Sequence, residues 1–315
     1  MVKNYKHLSK NPFSSREGVS LYNKVSENPA STHSSHTLVG GRTKFQLNMK
    51  RLFLFIAILG VITGSLCAKT KTSKASIQKK DINLIFIGNS ITAGVTLEDA
   101  LTQAPPIVCR DLIEQSTGIS THVYNGGHSG ITTFGFLPGR TDLTKVIANA
   151  KSLISENSGA LYFSIMLRTN DSAIKGTEGA PVNPDTYQKN MRSIICELIE
   201  NFPDCKIIVN YPIWYSPNTH NGACYLQEGL ERLHSYYPII DGLAQEYKQV
   251  WAGNRNVWEF FQDNYQLFTA EEGNSGTFFL HPNKQGATYL AGIWAESLLA
   301  IIQKDGTLIK EKSQK

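Results

Sequence analysis

From residue 82 onward the chain alternates short apolar runs with longer stretches in which apolar residues recur every three or four positions. The run Ile82-Asn83-Leu84-Ile85-Phe86-Ile87 is nearly continuous, as expected of a strand buried on both faces. Comparable runs occupy residues 121–124, 161–167, 206–211 and 257–260. Between them, Leu143, Val146, Ile147, Ala150, Leu153 and Ile154 share one helical face. Tyr187, Met191, Ile194, Ile195 and Leu198 do the same behind an Asn183-Pro184 start. A last helix over 286–302 turns Leu290, Ile293, Trp294, Leu298 and Ile301 inward, and residues 226–250 read as helical with a break at Pro238. Runs alternating with helices predict a three-layer α/β/α sandwich around a central parallel sheet of about five strands. One such domain over 81–305, ahead of a charged tail at 306–315, accounts for the pattern without an internal repeat.

The segment before it has another character. Lys50 and Arg51 precede an apolar run over 52–62, which Thr63-Gly64-Ser65-Leu66-Cys67-Ala68 follows. A basic start, a short apolar stretch and small residues at a cut site describe an export signal over 49–67. The run is short for a transmembrane helix, which needs roughly 20 apolar residues. Residues 1–48 are rich in Ser, Asn, His and Lys without periodicity, so they read as a disordered leader or as an over-extended start ahead of Met49. Residues 68–80 form a Lys/Ser/Thr-rich linker. The expected protein is therefore exported, periplasmic or extracellular, with no membrane span once processed. A lipid anchor on Cys67 is a lesser option, because Leu66 stands where a small residue is wanted.

Charge and cysteine count change the picture only after that division. The chain holds 31 Lys/Arg against 26 Asp/Glu, but residues 1–67 carry nine and two of these, leaving 22 against 24. The basic balance belongs to the leader, so nothing points to a nucleic-acid partner. Cys109, Cys196, Cys205 and Cys224 could be bridged or free, and no Cys/His spacing suits a metal.

In open parallel sheets ligands bind beyond the carboxyl ends of the strands. Polar residues directly after each run are thus the candidates for chemistry. Gly88-Asn89-Ser90 follows the first run, and Ser90 is either a nucleophile on an exposed turn or a helix cap. Asn125-Gly126-Gly127-His128-Ser129-Gly130 follows the second; its glycines leave backbone N–H groups open to a developing oxyanion. Arg168-Thr169-Asn170-Asp171 follows the third, with the Asn170 amide as a further donor. His281-Pro282 precedes the last helix, a junction from which a base could reach the rim.

These four blocks, in this order, resemble the SGNH or GDSL-type hydrolases across about residues 82–303. The stretches 164–173 and 212–216 look like exported members from gut-type Bacteroidota. The resemblance implies a flavodoxin-like sandwich and a serine esterase without metal or organic cofactor. Ser90 would be the nucleophile, His281 the base, and Ser90, Gly130 and Asn170 the oxyanion donors.

Three departures qualify it. Asn89 stands where the family usually has Asp. Arg168 stands where Gly is common; it could bind an acidic substrate, although pointing away to solvent is the favoured expectation. Phe278 occupies the usual position of the catalytic acid, three residues before the His, leaving Glu271, Glu272 or Asp263 as candidate replacements. Trp214 and Tyr215, with Asn218 and His220, follow the fourth run and could stack on a sugar, or Trp214 could pack in the core. The expected reaction is hydrolysis of short acyl esters, acetyl above all, on a small molecule or glycan. A lipase, arylesterase or thioesterase with the same machinery, or a non-catalytic carbohydrate-binding relative lacking the acid, are the alternatives.

Overall fold

The computed structural model describes residues 80–305 and Thr307. The expected leader or over-extended start (1–48), the expected export signal (49–67), all of the linker but Lys80, and all of the tail but Thr307 lie outside the described residues.

Five parallel strands form the sheet: β1 (Asp81–Gly88), β2 (Thr121–Gly127), β3 (Gly159–Met166), β4 (Lys206–Val209) and β5 (Val250–Ala252), in the order β2-β1-β3-β4-β5. β1 is central and buried along nearly its whole length. That position explains a run with no alternation, because helices cover both of its faces. The helices are α1 (Ser90–Ala93), α2 (Ala100–Gln103), α3 (Pro105–Thr117), α4 (Thr141–Glu156), α5 (Pro184–Asn201), α6 (Leu226–Ser235), α7 (Tyr237–Glu246), α8 (Val257–Asp263) and α9 (Lys284–Lys304). α3 and α9 pack together, while α4, α5 and α7 contact one another in succession. This is the flavodoxin-like sandwich, a fold in which the strand order reverses beside β1.

Two expectations about elements need correcting. The apolar run at 257–260 is not a strand but the start of α8. The fifth strand is the three-residue Val250–Ala252, an edge strand too short to register as a run. Four or five apolar residues suit either state, and tertiary position decides. A second sheet, the antiparallel hairpin β6 (Phe268–Gly273) and β7 (Gly276–Pro282), was not expected at all. It turns through Asn274 and Ser275 and feeds directly into α9. The break near Pro238 is where expected, between α6 and α7.

All four cysteines of the domain are free thiols. Burial pushes the Cys109 and Cys205 thiols well above the usual range, so they are inert core residues. Among the described residues no helix is long and apolar enough to cross a membrane, and no group of three or more His, Cys, Asp or Glu could hold a metal ion.

The core joins β1 to α9 through Phe86, fully buried and stacked on Trp294 with ring centroids 5.5 Å apart. Phe86→Ala should cost about 3–5 kcal/mol of stability, since the cavity between strand and helix cannot close. Equilibrium denaturation with urea, fitted at unchanged slope, measures it.

Candidate active site

β1 ends at Gly88, and the chain turns at once into α1. The Asn89 side chain accepts from the Ile91 N–H at 3.0 Å, so Asn89 is the N-cap and Ser90 the first helical residue. The cap that Ser90 could have provided is thus already made by its neighbour. Asn and Asp cap equally well, so the change at this position leaves the turn intact. The turn also depends on a close approach from β2: a Cβ on Gly127 would lie 2.3 Å from the Ala93 nitrogen.

Freed from capping, Ser90 Oγ lies 2.9 Å from His281 Nε2. Both residues are largely buried, at 7% and 6% exposure. On the other side of the ring, His281 Nδ1 lies 2.9 Å from both carboxylate oxygens of Glu271. Glu271 Oε1 also accepts the His281 backbone N–H at 3.1 Å. With a carboxylate at Nδ1, that nitrogen carries the proton and Nε2 is left as the acceptor facing the serine.

Glu271 resolves the departure at Phe278. In the hairpin register Glu271 stands directly across from Phe278. The carboxylate missing along the strand is supplied from the neighbouring strand. Phe278 itself is core. Of the other candidate acids, Glu272 is exposed and accepts from Thr277 Oγ1 at 2.7 Å. Asp263 is exposed at the end of α8. Neither reaches His281.

The hairpin is held by the loop after β4. Ser216 exchanges two bonds with Phe279: its backbone N–H donates to the Phe279 carbonyl at 2.9 Å, and its Oγ accepts from the Phe279 N–H at 2.8 Å. Asn218 Nδ2 donates to the Ser275 and Thr277 carbonyls, and the Asn274 N–H donates to the His220 carbonyl at 2.7 Å. Asn218 and His220 therefore anchor the segment that carries base and acid.

Gly130 and Asn170 meet Ser90 around one cleft of about 810 Å³. Gly130 has φ +76°, a conformation that favours glycine although the space beside it is open. Asn170 Nδ2 donates to the Ile131 carbonyl at 2.7 Å, while its Oδ1 accepts from the Tyr225 hydroxyl at 2.7 Å. A carbonyl can only accept, so the amide orientation is fixed, and the second Nδ2 hydrogen remains for the cleft. Tyr225 was missed in the sequence because it belongs to no apolar run. His128, Arg140, Asp142, Glu178 and Asn221 also line the cleft.

Three expected substrate contacts are absent from that lining. Arg168 points neither to solvent nor to the cleft but is wholly buried. Its φ is +140°, in the region that favours glycine, which accounts for the residue type common at this position. Trp214 is buried and meets Phe268 edge-on, with centroids 6.0 Å apart. Tyr215 is buried with its hydroxyl 3.0 Å from Ser172 Oγ. Apolar residues following a strand packed inward here, leaving the rim to polar loops.

Ser90, His281 and Glu271 thus stand in series at the carboxyl end of a flavodoxin-like sheet. The sequence model of the GDSL-like lipase/acylhydrolase family matches residues 86–289, and the chain belongs to that family: it is a carboxylic ester hydrolase. Among solved structures it is similar to a Parabacteroides merdae protein described as a GDSL-like lipase, at 17% identity, over 70% of this chain and 96% of that one, with a TM-score of 0.51. It is also similar to Est24, a carbohydrate acetylesterase from Sinorhizobium meliloti (16% identity, 70% and 100% covered, TM-score 0.49). At 17% identity the first of these likenesses speaks to the fold alone. A search of curated proteins finds no significant match.

If Glu271 holds the histidine, Glu271→Gln should lower kcat by about 10³–10⁴ with KM little changed, as for loss of the orienting acid in a triad. Glu272→Gln and Asp263→Asn should stay near the parent rate. Initial rates on a chromogenic acetate ester, measured for all three, decide between the acids.

Proposed function

We propose that the protein hydrolyses short acyl esters, acetyl esters of carbohydrates above all, through a Ser90–His281–Glu271 triad. The observation that carries this reading is the unbroken series of 2.9 Å contacts from Ser90 Oγ through His281 to Glu271. Ser90 Oγ attacks the ester carbonyl while Nε2 of His281 takes its proton and returns it to the departing alcohol. The acyl-enzyme is then cleaved by a water that the same nitrogen activates. Glu271 holds Nδ1–H and stabilises the imidazolium that forms. The negative oxygen of each tetrahedral intermediate is received by the Ser90 and Gly130 N–H groups and the Asn170 amide.

The character of the cleft supports a short acyl group and a hydroxyl-rich alcohol. Its hydrophobic side chains are few, Ile131, Ala223, Tyr225 and Leu280 among them, whereas Arg140, Thr141, Asp142, Thr177, Glu178 and Asn221 offer hydrogen bonds. A long acyl chain would find no extended apolar groove there. An acid at Nδ1 also removes the reason to regard the chain as a non-catalytic relative. The export signal at 49–67 fits a glycan-directed role outside the cytoplasm, and N-terminal sequencing of the native protein checks its removal.

Ser90→Ala should abolish turnover, and the parent should prefer acetyl over octanoyl nitrophenyl esters by kcat/KM. A preference for the octanoyl ester would defeat the acetyl reading. Residual turnover in Ser90→Ala equal to the parent would defeat the nucleophile assignment.

A further inference from the structure

The proposed oxyanion donors Gly130 and Asn170 belong to different loops, one after β2 and one after β3. Their separation is not set by the sheet, because both stand beyond its last paired residues. Two adjacent ties join the loops instead. The first is the bond from Asn170 Nδ2 to the Ile131 carbonyl. The second lies one residue further along one loop and two along the other: the Asp171 carboxylate accepts the Thr133 backbone N–H, at 3.0 Å to Oδ1 and 3.2 Å to Oδ2, and also the Thr133 hydroxyl. With its proton engaged there, Thr133 Oγ1 accepts from Asn190 Nδ2 of α5 at 2.9 Å.

Asp171 and Thr133 are both fully buried, and neither lines the cleft. The Asp171 backbone is fixed as well, its carbonyl accepting from the Val182 N–H at 2.9 Å and the Tyr236 hydroxyl at 3.3 Å. A buried carboxylate is costly unless it is bonded and countered, and here Arg168 supplies the opposing charge from the same loop. No protein group bonds the Arg168 guanidinium nitrogens among the described residues. Burying this cation in a glycine-favouring conformation makes sense as the countercharge of Asp171.

We propose that Asp171 and Thr133 are a positioning pair that sets the spacing of the oxyanion hole by clamping the Gly130 loop to the Asn170 loop. The inference rests on the assignment of Gly130 and Asn170 as oxyanion donors. Such a pair acts on the transition state, because the hole is filled by the tetrahedral oxygen more tightly than by the substrate carbonyl. Its loss therefore appears in kcat and leaves KM nearly unchanged.

The clamp also has a pH signature. Burial pushes the Asp171 carboxyl up to about 6, while the bonds from Thr133 and the charge of Arg168 pull it back down. The groups facing it are Arg168 from its own loop, Tyr187 of α5, Tyr225 ahead of α6 and Tyr236 between α6 and α7. Burial holds all three tyrosines above their usual range, so Arg168 is the one charged neighbour in this set near neutrality. Because the folded carboxyl is raised above its unfolded value, its contribution to stability is present at low pH and is lost as pH rises through about 6. Acidification thus favours the fold through this group while it takes the charge and part of the accepting capacity from the bonds to Thr133. Activity and stability move in opposite directions, which a purely structural role would not produce.

The test compares Thr133→Val with Thr133→Ser and Asp171→Asn, using release of acetate from an acetyl ester. Thr133→Val should lower kcat about tenfold, a fraction of the 10²–10³ lost with a whole donor, with KM within about twofold. Thr133→Ser should restore the parent rate. Asp171→Asn should lose one proton from the acid limb of the kcat profile. The double variant should be no worse than the more damaged single one, because both remove the same contact. A parent-like kcat in Thr133→Val, or a loss carried by KM alone, would overturn the proposal. If Thr133→Val is too unstable to assay, an unchanged acid limb in Asp171→Asn overturns it equally. Ser90→Ala serves as the control: activity surviving there refutes the underlying mechanism, whereas an inactive Ser90→Ala beside a fully active Thr133→Val refutes the clamp alone.

Discussion

A neutral imidazole offers Nε2 as a base only in the tautomer whose Nδ1 carries the hydrogen, and an acceptor beside Nδ1 holds the ring in that tautomer. The contact between His281 Nδ1 and Glu271 meets that need, and much of the rim is arranged around it. The hairpin exists where it does so that a carboxylate on one strand can serve a histidine on the other. Ser216, Asn218 and His220 hold that hairpin against the body of the domain. On the other side of the ring, the short Asn89-capped turn presents Ser90 at hydrogen-bond distance. The parallel sheet contributes the rigid floor from which both are measured.

Much of this was legible in the sequence. The apolar runs located β1 to β4, although β2 is a half-buried edge strand and only β1, β3 and β4 are buried along most of their length. Ser90, Gly130 and Asn170 followed runs of the parallel sheet, and His281 preceded the last helix, where β7 of the hairpin feeds into α9. The fifth strand was misplaced onto 257–260 because an edge strand of three residues leaves almost no pattern. The hairpin was overlooked although Gly273-Asn274-Ser275-Gly276, set between Phe268-Thr269-Ala270 and Thr277-Phe278-Phe279, carries the composition of a hairpin turn. Pairing those strands about that turn would have put Glu271 opposite Phe278 and reduced three candidate acids to one.

What the sequence did not convey was direction. Arg168, Trp214 and Tyr215 follow strands just as the functional residues do, yet all three face the interior. For two of them the partners are distant in sequence: Phe268 for Trp214 and Ser172 for Tyr215. Polar residues that reach the cleft, such as Arg140, Glu178 and Asn221, come from loops whose paths no periodicity records. The lining of the cleft is therefore the part that a linear reading conveys least.

Glu271 and His281 share one small hairpin that pairs with no strand of the main sheet. Glu271 and His281 consequently travel together, whereas Ser90 is fixed to the end of β1. A swing of the hairpin would stretch the contact between Ser90 and His281 and leave the one between His281 and Glu271 as it was. Heating should thus idle the enzyme before it melts it. The first thing lost is the grip of a correctly primed base on its serine, with the sheet beneath still intact.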